Sequence, residues 1–346
     1  LQAQLPARFG GLSLTAAFTI CEAAYLSGSC GVLAHLKKHR SAYLPVSCST
    51  AQDTPTRWLQ DVLHCFSQAR QYYDALQDDD HSFHALVSGD TVSRLPLRKL
   101  TEHLYKHELI PQVLTALPSD WHRARFLSCK SPFAGLWLSA LPSCGWPTAL
   151  PAHFRCALQL RLSVPLRELC DGRLLCPCGA SVDPWGFHYG CCKRGNRLGS
   201  WTWRHNVVQS AFIAAVRSLG TPAQAITSNL LGEAAVSASG HNYLRPDVVL
   251  PSYFSISSHF LLDIAIADPC CAAALRNSSA RTPGVAAEDR ASRKVTKYTT
   301  VCEGAGHKFA PVVIERYGAC SNSTIGLVRG FAGTDDQGRL TDTTFS

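Results

Sequence analysis

Methionine is absent from all 346 residues, and position 1 is Leu. A complete reading frame would open on Met, so the expectation is a piece of a longer polyprotein. Charge is sparse as well. Only 17% of residues are Asp, Glu, Lys or Arg, against 46% hydrophobic, a balance that excludes a disordered chain and leaves room for two ordinary domains. A membrane-spanning run is also wanting. The apolar stretch 16–36 carries Glu22 and His35 and is interrupted by Ser27, Gly28, Ser29 and Gly31, whereas a span needs about 20 nearly uncharged residues. A helix pair is expected there, and no membrane partner. Acidic residues are missing from 184–232, where Lys193, Arg194, Arg197, Arg204 and Arg217 fall beside Trp185, Trp201 and Trp203. Within a chain of net charge +8, cations interleaved with aromatic faces suit phosphate contact and base stacking. The competing reading is a basic surface over buried tryptophans.

Cysteine, by contrast, is plentiful: there are sixteen. They are scattered through a long chain without a recognisable secretory signal, whereas disulfide scaffolds are short and Cys-dense. Reduced core thiols plus one metal site are expected.

Residues 1–165 read as mostly helical, with apolar residues at helical spacing over 58–75 and again over 95–117, the latter broken by Pro111. Pro118, Pro132, Pro142, Pro147 and Pro151 punctuate a turn-rich connector. Residues 166–200 are rich in Cys, Gly, Trp and Arg, as a small metal-stapled element would be. An amphipathic helix is expected over 205–219, ended by Gly220 and Pro222. Strand-like runs follow at 247–250, 260–266 and 311–314, and an Ala-rich segment between the last two should end as a helix. The fold class is therefore α+β overall: a helical region, a metal-stapled element, then a mixed α/β domain over 201–335 and a tail over 336–346.

Two clusters carry chemistry. Cys176 and Cys178 open a run that ends in His188, Cys191 and Cys192. Thiolate and imidazole are the ligands that Zn²⁺ prefers in closed tetrahedral sites. Gly179 and the Asp183-Pro184-Trp185-Gly186 turn let a short loop fold back on a metal. Cys170 could substitute for one ligand, and the alternative is a set of core thiols with one stray His. In the second cluster, Arg245-Pro246-Asp247 opens one strand and Asp263 stands inside the apolar run of the next. Paired strands would bring the two carboxylates together, where they repel unless a cation lies between them. Mg²⁺ or Mn²⁺ fits such oxygens and activates water against a phosphodiester. Lys297, or Lys294 one helical turn earlier, is the candidate third element. The plainer reading has Asp247 capping a turn and both lysines solvated.

The order of these pieces resembles a family. CPCG, DPWGFHYGCCKRG, RHN, RPD, LLDIAIADP, KVTKY and KFAPVVIERYGA, in that sequence, look like the C-terminal part of non-LTR retrotransposon polyproteins. There a reverse transcriptase precedes a CCHC zinc element and a restriction-like endonuclease of the PD-(D/E)-x-K class. Upstream, ARFGGLSLTAAFTICEAAYLSG and RARFLSCKSPFAGLWLSALP resemble the helical region near the polymerase thumb, and ALQLRLSVPL the lead into the zinc element; 40–115 match loosely. The resemblance implies zinc on Cys176, Cys178, His188 and Cys192, with Cys191 as the alternative last ligand. It implies Mg²⁺ on Asp247 and Asp263, with Lys297 first and Lys294 second as the lysine. Arg204 and His205 match an RH pair near the DNA, and Lys193, Arg194, Arg197, Trp201, Trp203 and Arg245 would join them in binding nucleic acid. The expected activity is nicking of target DNA to prime reverse transcription in the nucleus, with element RNA and the polymerase part of the polyprotein as partners.

The sequence departs from the plain restriction pattern at Ala265, where a lysine would stand, so the lysine must come from the following helix. Glu233 is the candidate for a glutamate expected before RPD, and Glu315 is another acid on a strand. Asp78-Asp79-Asp80 lies in a polar loop and lacks the aromatic-x-Asp-Asp form of a polymerase turn. The alternative functions are a catalytically inactive, zinc-containing nucleic-acid-binding relic and, less well matched, a host structure-specific nuclease.

Overall fold

The computed structural model describes residues 1–14, 20, 24, 97–138, 151–166, 175–176, 178–192, 201–227, 230–231 and 244–332. The expected helix over 58–75, nearly all of 16–36, and Asp78 to Asp80 lie outside them. The chain divides into two compact units, Leu1–Pro6 with Leu12–Ala116 and Ala7–Gly11 with Leu117–Ser346. Residues 120–162, which the sequence grouped with the helical N-terminal region, belong to the second.

In the first unit, helix α1 (Leu97–Leu104) and helix α2 (Ile110–Ala116) are joined by a π-helical turn, Tyr105–Leu109. Pro111 was expected to break this segment, and it does not. Proline has no N–H and its ring crowds the carbonyl four residues back. The wider π turn, closed by the Ile110 N–H onto Tyr105 O, absorbs that conflict. Tyr105, Leu109 and Val113, at every fourth residue, are buried.

The second unit contains helices α3 (Asp120–Lys130), α4 (Pro151–Leu162), α5 (Phe187–Cys191) and α6 (Trp201–Ser218). A four-stranded mixed sheet follows: β1 (Gln224–Ala225), β2 (Val248–Ser255), β3 (Ser258–Ala267) and β4 (Lys308–Glu315), in that spatial order. β2 and β3 form an antiparallel hairpin whose register slips between Leu250 and Ser255, around Pro251, which cannot donate to the ladder. β3 and β4 are parallel, which requires a crossover; α7 (Ala272–Arg276) and α8 (Val285–Gly304) supply it. Helix α9 (Asn322–Ala332) closes the described part of the unit. The α+β class is thus observed. The strands expected at 260–266 and 311–314 are longer at both ends, the one expected at 247–250 starts at Val248, after Asp247, and runs on to Ser255, and α6 begins at Trp201 rather than His205. β1 and α9 were not anticipated.

β3 reads as an unbroken apolar run because both its faces are covered. Phe260, Leu262 and Ile264 meet Ile213 and Val216 of α6 and Leu327 and Phe331 of α9. Alternation sends Leu261 and Ala265 to the other face, where α8 offers Tyr298 and Cys302, and Ala287 and Ala291. Each fully buried Leu or Ile contributes about 1.5–3 kcal/mol. Asp263 falls between Leu261 and Ala265 and so points at α8.

Glu315 ends β4, 2% exposed, and its Oε1 accepts from the Ala286 N–H at 3.0 Å and the Ala287 N–H at 3.2 Å. It fills the donors at the start of α8, where a helix favours negative charge. Burial pushes its pKa up, against the bonds from Ser128, Ala287 and Ala286. Glu315→Ala strands both amides and should cost about 3 kcal/mol, measured as a fall in urea midpoint at constant m-value. A change below about 0.5 kcal/mol would show that water replaces the carboxylate there.

Candidate functional site

The four expected zinc ligands converge. The ligand atoms of Cys176, Cys178, His188 and Cys192 all lie within 4.8 Å of one another. Cys178 Sγ stands 3.2 Å from His188 Nε2, and Cys176 Sγ 3.5 Å from Cys192 Sγ. The thiol pair is too far apart for a disulfide, which needs about 2.05 Å. A tetrahedron built on a Zn–S bond of about 2.3 Å has edges of roughly 3.7 Å, and the cluster fits it. The Ala180 N–H is the largest cause that holds the Cys178 thiol down at about 7, against burial and with help from Cys176, Cys192 and His188. The ligand-competent thiolate is therefore within reach at neutral pH. The loop is shaped by Asp183, whose carboxylate accepts from the N–H groups of Trp185, Phe187 and His188 at 3.0, 2.9 and 2.7 Å. Gly186, at φ +68°, takes the left-handed turn that a side chain would resist. Cys170 and the side chain of Cys191 lie outside the described residues.

The acids also meet. Asp247 precedes β2, and its N–H donates to Leu262 O at 2.9 Å. Its Oδ2 accepts from the Ile264 N–H at 2.7 Å and faces His205 Nε2 at 3.0 Å. Gln209, one turn along α6, donates to the Asp247 carbonyl at 2.7 Å. Asp263 is 2% exposed and its Oδ2 is ion-paired with Lys294. Burial, and then the charge of Asp247, push the Asp263 pKa up; Lys294 and Tyr298 oppose this without cancelling it. Burial alone would lower His205, but the hydrogen bond and charge of Asp247, with Asn206 and Asp263 behind them, carry it upward. By linkage, the stabilisation from this imidazolium is complete below the unfolded His pKa and is lost as pH rises through the folded one.

The two lysines part company. Lys294 lies on the sheet-facing stripe of α8 with Ala287, Ala291, Tyr298 and Cys302, spaced by three and four residues. Lys297 is exposed and rests over the Tyr298 ring, 4.7 Å from its centroid. Tyr298, which sequence reading did not single out, donates to Arg245 O at 3.3 Å.

Asp247, Asp263 and Lys294 line one open cleft of about 380 Å³ with Thr202, Arg204, His205, Arg245, Arg290 and Arg316. Two of these cations, Arg290 and Arg316, were missed: Arg290 stands one turn before Lys294 on α8, and Arg316 just past β4. Trp203 is 57% exposed, whereas Trp185 is half-buried against His122 and Phe187 and belongs to the core. Lys193, Arg194, Arg197, Glu233 and the side chain of Trp201 lie outside the described residues. Glu315 caps α8 and does not line the cleft.

No protein-family model matches this chain, and no curated protein matches it either. Among the described residues, no helix is long and apolar enough to cross a membrane.

Proposed function

We propose that the chain is the C-terminal part of a non-LTR retrotransposon polyprotein and that its second unit is a restriction-like, metal-dependent endonuclease that nicks target DNA. The observation that carries this reading is the meeting of Asp247, Asp263 and Lys294 in one open cleft rimmed by arginines. Structural ion pairs are common in buried positions, but two like-charged acids brought together in a basic cleft suit a site rather than a strut.

The carboxylates fit a hard divalent ion. Burial first and then Asp247 raise the Asp263 pKa, and Lys294 offsets them only in part, so a cation between the acids would relieve the remaining repulsion. When bound, Mg²⁺ or Mn²⁺ would supply positive charge at the scissile phosphate and lower the pKa of a water, so that it gives up a proton and attacks as hydroxide. The residues do the positioning. The Ile264 N–H and His205 fix the orientation of Asp247. Lys294 neutralises Asp263 in the free protein and can turn its ammonium to a phosphate oxygen, where charge grows during in-line displacement. Arg204, Arg245 and Arg290 hold neighbouring phosphates, and Trp203 offers a face for a base. Zinc stands outside the chemistry, as a structural ion in a closed four-ligand site.

Lys294 therefore takes the place that sequence reading gave first to Lys297. Supercoiled plasmid incubated with Mg²⁺ or Mn²⁺ should pass to open circle with the intact chain. Lys294→Ala should slow this about a hundredfold or more, and Lys297→Ala by no more than about threefold, since an exposed side chain contributes little. Equal losses would remove the distinction, and a greater loss at Lys297 would reverse the assignment.

A further inference from the structure

We propose that Arg316, braced by Asp268 against Gly190, is a positioning residue that latches the zinc element to the sheet as a wall of the acidic cleft, and so sets the affinity of the Asp247–Asp263 pair for its divalent cation. The inference rests on the endonuclease reading of that cleft.

Arg316 and Asp268 stand one residue past the parallel strands β4 and β3. The Arg316 N–H donates to Ala267 O at 2.9 Å, which fixes its backbone to the end of β3. Its guanidinium crosses to the zinc element: Nη2 donates to Gly186 O at 2.8 Å and Nη1 to Phe187 O at 3.5 Å. Nη1 also faces Asp268 Oδ2 at 3.7 Å, while Asp268 Oδ1 accepts from the Cys270 N–H at 2.8 Å. Both side chains are largely buried, at 16% and 8% exposure. A planar fork that satisfies two carbonyls and a carboxylate together is a task for Arg rather than Lys.

The zinc element is cut to receive it. Gly190 lies between the ligands His188 and Cys192, and a Cβ at that position would overlap Asp268 Oδ2 and Arg316 Nη1. Any side chain there pushes the ion pair out. Gly190, Asp263, Asp268 and Arg316 all line the cleft, so the wall and the acids share one space. β3 carries Asp263 near its centre and leads directly into Asp268; displacement of the latch is felt along the strand that holds the buried acid. Trp185 and Phe187 add an apolar contact in the cluster with Ala124, Cys270 and Tyr317, which keeps the element seated by packing when the latch is opened. That separation makes the latch testable apart from the fold.

The full zinc-loaded chain and four variants would be titrated with Mn²⁺, reading free Mn²⁺ by electron paramagnetic resonance and zinc per chain by elemental analysis. Asp263→Asn is the control that identifies binding at the acid pair. Arg316→Gln and Gly190→Val are expected to keep one zinc per chain and to lose Mn²⁺ affinity about tenfold, as for the loss of one charge-assisted hydrogen bond. Arg316→Lys, with the charge but not the fork, should fall between them and the wild type. Unchanged affinity in Arg316→Gln and Gly190→Val, with Asp263→Asn deficient, overturns the latch and leaves the endonuclease reading intact. Loss of zinc together with Mn²⁺ also overturns it, since these residues would then serve the zinc element's own folding. If the wild-type chain takes up no Mn²⁺ that Asp263→Asn abolishes, the reading of the cleft itself falls.

Discussion

Asp263→Asn should reduce plasmid nicking about a thousandfold or more, the largest effect expected from a single atom exchange in this chain. The amide keeps the volume and the β3 backbone, but it cannot carry the charge that a divalent cation requires. Stability should change little, within about 1–2 kcal/mol, because two consequences oppose each other. The buried carboxylate has a pKa raised first by burial and then by Asp247, so its ionisation costs stability as pH rises from the unfolded pKa through the folded one. The amide removes that cost. Against this, Lys294 loses its ion pair, and a cation that is 17% exposed in its side chain must turn toward the cleft mouth to regain water. The same raised pKa fixes the sign of the pH dependence. Protons compete with the cation at Asp263, so nicking should fade as pH drops through a midpoint above the ordinary carboxylate range, and the midpoint should move down as Mn²⁺ is raised. Wild-type rates from pH 5 to 8 at two Mn²⁺ concentrations test this. A midpoint that ignores Mn²⁺ would mean that Asp263 does not hold the ion, and equal nicking by the variant would remove it from the site.

Zinc removal should be the largest perturbation of stability. Structural zinc is worth about 10–16 kcal/mol in isolated finger peptides. Here the element is partly held by Phe187 and Trp185 in the cluster beside α3, so a smaller loss, about 5 kcal/mol, is expected. At about 2–4 °C per kcal/mol for a unit of this size, the melting temperature should fall by about 10–20 °C. Cys178→Ala or His188→Ala should do the same and bind less than one zinc per chain. Cys191→Ala should keep its zinc, because Cys192 completes the cluster. Added Zn²⁺ should restore the chelated wild type and not the ligand variants. A chain that melts unchanged after chelation, with all four ligands intact, would return these residues to the status of core thiols.

Much of the second unit could be read from the sequence because its signals are local. The runs at 260–266 and 311–314 fell inside observed strands, and 247–250 did so from Val248 onward, since apolar continuity survives wherever both faces are covered. The cluster of Cys176, Cys178, His188 and Cys192 was legible for the same reason: these residues sit within a short loop, and their affinity for a metal is in their residue types. What was not legible was whatever is set by a face or by a distant partner. The choice between Lys294 and Lys297 was available in principle, because Lys294 continues the stripe of Ala287, Ala291 and Tyr298, but an isolated lysine in KVTKY carries no direction until the helix phase is fixed. Glu315 looked like a spare acid on a strand; its work at the head of α8 depends on a contact 29 residues away in sequence. Arg316, Asp268 and Gly190 stand inside recognisable motifs, but nothing local joined them, since their meaning lies in the approach of two strand ends to a loop about 80 to 130 residues earlier. Pro111 misled for a physical reason, as a π turn can absorb what an α-helix cannot.

The hairpin that brings Asp247 beside β3 has a bearing on how the chain reaches this arrangement. Closing the loop to Lys294 is roughly twice as long a search as closing the hairpin, and a doubling adds only about 0.6 kcal/mol of entropy. Like charges repel even at an effective dielectric of about 20, and the charge of Asp247 acts on the buried Asp263 carboxyl. Chain length thus gives the β2–β3 pairing little head start, and charge takes that start away. The strands gain most by closing in the same event that docks α8, when the lysine arrives with the second carboxylate. A pair of like charges thereby ties a local hairpin to a non-local crossover, and the two are expected to form in one cooperative step, seen as single-exponential refolding.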